Sequence, residues 1–137
     1  MVSASVRSLR IVLLFFGVAV IITATLLPGG GMAAERIPPA WCLKCGTLWL
    51  TDAIANVALF VPFGAALAWL WYQRRWSFAR VAAVSFGFSL LVEVLQSLGL
   101  PPGRSAALAD VFTNSIGGTL GYALWYVLHT ERTRTRA

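Results

Sequence analysis

Four runs of apolar residues, at about 9–27, 53–71, 81–98 and 111–128, alternate with shorter segments that hold most of the charge. Each run is near the roughly 20 residues with which a helix crosses a bilayer core. The pattern predicts an all-α fold, an integral membrane bundle of four transmembrane helices in one domain covering 1–137. The first run follows Arg7 and contains Arg10. A signal peptide's apolar core is usually about 7 to 15 residues long and ends at a small-x-small cleavage site. This run is longer and Gly31-Met32-Ala33 is a poor cleavage site, so it reads as a retained anchor. Residues 28–51 form a loop marked by Gly and Pro, whose tail begins to enter the membrane. Pro62, in FVPFG, takes the usual partner from the Ala58 carbonyl and predicts a kink in the second helix.

Composition agrees with the pattern. Hydrophobic residues make up 58% and charged residues 12% of the 137 positions, and mean hydropathy is +0.76. These values place the chain in the membrane class. A net charge of +6 in a polar protein would suggest nucleic acid, but here the basic residues fall in short clusters between apolar runs, so no nucleic-acid partner is expected. They read as topology signals. Arg7, Arg10, Arg74, Arg75, Arg80, Arg132, Arg134 and Arg136 fall on one side, and Arg36, Lys44 and Arg104 on the other. Because cytoplasmic loops are enriched in Lys and Arg, both termini are expected in the cytoplasm. Trp49, Trp69, Trp71, Trp76, Trp125 and Tyr126 stand near run ends, as in an aromatic belt.

That orientation sets depths. Helices two and four descend from the outer surface, opened by Asp52 and Asp110, with Asn56 and Asn114 about 6 Å deeper by the helical rise. Helix three ascends, so Glu93 lies about 7 Å below its outer end and Gln96 is shallower. All six side chains are expected in one outer-leaflet slab, with Arg104 in the turn after Pro101-Pro102-Gly103. Two further expectations concern packing. Gly117 and Gly121 form a G-x-x-x-G groove, with Leu59 and Phe63 at the corresponding positions of helix two as the ridge that enters it. Ser85, Ser89 and Glu93, four apart, extend a polar stripe inward that would line a crevice.

Asn, Gln and Ser commonly join helices in membranes, which is the structural reading of these residues. A carboxyl at the hydrocarbon edge is costly and is a functional candidate by default, so Asp52, Asn56, Glu93, Gln96, Arg104, Asp110 and Asn114 form the candidate ligand-binding set. The arginine's planar fork suits a carboxylate or a phosphate.

In order and spacing these residues resemble the VanZ-like membrane proteins. The likeness runs from about Asp52 to Gly121: D-x-x-x-N-x-x-x-F-x-P-F-G (Asp52, Asn56, Phe60, Pro62, Phe63, Gly64), E-x-x-Q (Glu93, Gln96), and R-x-x-x-x-x-D-x-x-x-N-x-x-G (Arg104, Asp110, Asn114, Gly117). Family members often carry further acids between the arginine and the aspartate, where this chain has Ser105 to Ala109. The resemblance implies a small multi-helix protein of the bacterial cytoplasmic membrane, from a family whose founding member is associated with resistance to the glycopeptide teicoplanin.

Cys42 and Cys45 fall in the outer loop, where thiols are commonly oxidised; a local disulfide is the first reading, and a zinc site shared across a homodimer is the second. Within one chain, two cysteines and one histidine cannot complete a four-ligand zinc site, and no metal or cofactor is expected. His129 is predicted at the opposite face from the acids. No H-E-x-x-H, G-x-S-x-G or Walker-type loop occurs. Three readings follow. The first is a binding protein for a lipid or lipid-linked envelope precursor. The second is a membrane enzyme with Glu93 as catalytic acid or base. The third is a structural subunit, partnered with itself or another membrane protein.

Overall fold

The computed structural model describes residues 4–26, 49–71, 77–98, 100 and 106–134. They form α1 (Ala4–Leu26), α2 (Trp49–Leu70), α3 (Phe78–Ser97) and α4 (Leu108–Arg134), with no strand among the described residues. Each helix begins a few residues before its apolar run, because helical geometry continues through polar residues at the ends. At the start of α3, Ser77 is extended (φ −75°, ψ 156°) and its carbonyl accepts from the Arg80 N–H at 3.0 Å. At the start of α4, the Ala107 carbonyl accepts from the Asp110 N–H at 2.9 Å, and Asp110 stands in the first turn, where the helix dipole favours a negative charge. Pro62 lies inside a continuous α2.

The polarity of the bundle is inverted relative to a water-soluble domain. Val12, Phe15 and Phe16 of α1, Leu91 and Val94 of α3, and Phe112, Ile116, Leu120 and Leu124 of α4 are exposed, while Ser85, Ser89, Glu93, Gln96 and Asn114 are buried. Exposed apolar area on this scale has no place in contact with water and is natural in contact with lipid. Three helices, α1, α2 and α3, are long and apolar enough to cross a membrane. The fourth apolar run also forms a helix, of 27 residues, but falls outside that set. The residues that lower its apolarity include Asn114, Gly117, Gly118 and Gly121, all turned inward, while its outward stripe is apolar.

The contacts give an up-down-up-down arrangement. Gly117 and Gly121 of α4 lie against Val57 and Val61 of α2, so those two helices run parallel. Ser85, Ser89 and Glu93 of α3 meet Gly118, Asn114 and Ala107, so α3 is antiparallel to α4. Among the described residues, the seam between α2 and α4 is especially tight. A Cβ placed on Gly64 would run into the Gly118 carbonyl, and one on Gly121 into the Val61 carbonyl. The glycine groove is therefore present, but the ridge entering it is not Leu59 and Phe63. The α2 backbone itself enters at Val57 and Val61, with the Cβ of Phe60 beside Gly117. Phe63 instead joins the core of Ile21, Phe60, Leu67 and Val81, and Leu59 is half-buried at its margin. Phe60 meets Phe63 edge-on at 5.7 Å between centroids, and Phe63 stacks on Phe88 at 5.3 Å.

Candidate functional site

The end of the bundle where α1 and α3 finish and α2 and α4 begin gathers the buried polar side chains. On α3, Ser85, Ser89 and Glu93 follow each other at one-turn intervals, and Gln96 continues the face. This stripe does not line a crevice. Ser85 and Ser89 are 0% exposed because α4 covers them, and glycine at position 118 is what allows Ser85 so close.

Three contacts tie α3 to its neighbours at this end. Asn114 donates through Nδ2 to Ser89 Oγ at 2.8 Å. Glu93 Oε2 accepts the Ala107 N–H at 2.6 Å, so a side chain of α3 occupies the position just before the first turn of α4. A carboxylate there satisfies a backbone donor that no helical carbonyl serves, and it lies at the positive end of the α4 dipole. Gln96 donates through Nε2 to the Thr25 carbonyl of α1 at 2.9 Å. Asp110 is half-buried and within electrostatic reach of Glu93. The end of one helix hairpin thus holds two carboxyl groups around the start of α4.

Two amide oxygens remain unused, as does Ser85 Oγ further along the stripe. Asn114 Oδ1 and Gln96 Oε1 are buried and have no hydrogen-bond partner among the described residues. Buried polar groups in native proteins are nearly always paired, so each of these oxygens is a place for a donor from outside the described chain.

Of the residues expected at one depth, Glu93, Gln96 and Asn114 are buried together, with Asp110 beside them. Asp52 and Asn56 reach the same end of the bundle through the parallel register of α2 with α4. Asp52 is exposed and Asn56 half-buried, and neither hydrogen-bonds to the α3–α4 seam among the described residues. Arg104, Cys42 and Cys45 lie outside the described residues. No metal-binding group of three His, Cys, Asp or Glu side chains occurs among the described residues. His129 stacks on Trp125 at 4.8 Å near the far end of α4, about 28 Å from Asp110 by the helical rise. Two partners had no side-chain signature to reveal them. They are the Ala107 N–H, whose only sequence clue is the start of a helix, and the Thr25 carbonyl, on a helix that the motifs do not touch.

An all-helical bundle with an apolar exterior and a polar seam between its third and fourth helices defines a membrane protein. The VanZ/LLP1 family model matches residues 11–129. The chain belongs to the VanZ/LLP1 family, and the match extends beyond the Asp52 to Gly121 segment to take in α1 from Ile11 and most of α4. In comparisons with curated proteins and with solved structures, nothing matches.

Proposed function

We propose that this protein is a multi-pass component of the bacterial cytoplasmic membrane, with both termini in the cytoplasm, whose outward polar end engages the headgroup of a lipid or lipid-linked envelope precursor. Through that contact it contributes to tolerance of envelope-directed drugs such as glycopeptides. The observation that carries this reading is the pair of unused buried acceptors, Asn114 Oδ1 and Gln96 Oε1, beside the carboxyl groups of Glu93 and Asp110. Hydroxyl and ammonium groups of headgroups are donors of the required kind. In sequence, the segment between α3 and α4 adds Arg104, whose guanidinium suits a phosphate.

The structural reading has its own support, because Glu93, Gln96 and Asn114 each make an interhelical bond. The enzyme reading has less. Glu93 already accepts a backbone N–H, a positioning task rather than proton transfer. Mass spectrometry of lipids retained by the purified protein separates the two readings that remain. Glu93→Gln and Arg104→Ala variants that fold normally should lose a retained lipid and raise sensitivity to envelope drugs. Unchanged lipid and unchanged sensitivity would leave only the structural reading.

A further inference from the structure

The opposite end of the molecule carries a feature that the polar seam does not use. An apolar groove of about 470 Å³ runs between α1 and the α2–α4 pair, with Leu13, Gly17 and Val20 along one wall and Pro62, Trp69 and Trp125 along the other. The α1 residues share a helix face with Arg10, one turn before Leu13. The Arg10 guanidinium lies 5.1 Å from the centroid of the Trp69 ring, and its Nη1 donates to the Trp69 carbonyl at 3.1 Å. That carbonyl, in the last turn of α2, uses one of the five N–H donors of the side chain. Nε is buried and has no partner among the described residues. On the other wall, His129 stacks on Trp125.

We propose that this groove holds one acyl chain of an anionic phospholipid, with the headgroup phosphate on Arg10. Three observations specify the occupant. The groove's lining is predominantly apolar, which suits a hydrocarbon chain. Arg10, on the Trp69 that lines it, places a cation at one end among the described residues, which suits an amphiphile with a negative head. From Arg10 to Val20 the helical rise gives about 15 Å, half of a roughly 30 Å hydrocarbon core, so the groove spans a single leaflet. A basic residue that served only as a topology signal would have no need of a buried donor facing a ring that lines an apolar groove. The headgroup contact proposed for Glu93 and Asn114 is at the other end of the bundle, and this site does not depend on it.

The experiment is native mass spectrometry of the detergent-purified full chain, offered equal amounts of phosphatidylglycerol and phosphatidylcholine with identical acyl chains. The first lipid retained by the wild type should be phosphatidylglycerol by roughly fivefold, the effect of one basic residue at a membrane surface. Arg10→Gln should bring the two lipids to parity. Gly17→Phe fills the groove from a position where an added Cβ meets nothing within 4 Å, so it should fold and lose both lipids alike. Equal retention of the two lipids by the wild type, a preference that survives Arg10→Gln, or undiminished retention by Gly17→Phe would overturn the proposal. If Arg10→Gln does not fold, Gly17→Phe decides alone, since it keeps the arginine.

Discussion

Glu93 and Ala107 are joined by a 2.6 Å hydrogen bond from the backbone of one helix start to the carboxylate of the preceding helix. The start of α4 is thereby tied to α3. Glu93→Gln keeps an acceptor of the same shape but removes the charge facing the dipole, and should cost about 1 kcal/mol. Glu93→Ala also leaves the N–H without that acceptor and should cost about 2 to 3 kcal/mol. Thermal unfolding in detergent, read by circular dichroism, checks the order. Equal stability of the two variants would mean that the bond contributes nothing.

The glycine seam gives a sharper contrast. Gly64→Val and Gly118→Val place side chains where backbone or the Ser85 hydroxymethyl already sits, whereas Gly87→Val meets nothing within 4 Å. The first two should destabilise by about 3 kcal/mol or more, and the third by less than about 1 kcal/mol. Membrane abundance together with gel-filtration homogeneity provides the measurement.

For Asn114 and Ser89, the coupling itself is measurable. Interhelical hydrogen bonds in membranes average about 0.6 kcal/mol and reach about 1.7 kcal/mol. A double-mutant cycle with Asn114→Ala and Ser89→Ala should return a coupling within that span, because no water competes at a fully buried pair.

Topology has an independent check. If both termini lie in the cytoplasm, as proposed, a C-terminal green fluorescent protein fusion should be bright and an alkaline phosphatase fusion inactive. In the same cells, without reductant, Cys42 and Cys45 should resist a membrane-impermeant maleimide until a reducing agent opens their disulfide. Labelling before reduction would exclude the local disulfide.

The apolar runs were enough to reveal four helices, since long stretches of Leu, Val, Phe and Ala have no other stable form in lipid. The family was legible from residue spacing alone. Side-chain partners were less so. Ser85, Ser89 and Glu93 announced a polar face by their spacing, but a one-turn stripe looks the same whether it lines a crevice or is covered by a neighbour. Glycine at 118 decides between those outcomes, by letting α4 come close to Ser85. The misassigned ridge has a similar cause. Matching side chains to a groove assumes that side chains fill it, and here the α2 backbone does. Arg10 was readable as a charge near a membrane surface, but its place over Trp69 depends on how α1 and α2 cross.

The inward glycines and Asn114 of α4 also bear on how the chain is assembled. On the four-crossing reading, a helix whose polar face is covered by α2 and α3 gains little from entering hydrocarbon alone, and much from entering beside helices already there. Synthesis order supplies those neighbours first. Moving α4 ahead of them in a permuted chain should therefore impair its insertion, although every contact in the finished bundle could still be made.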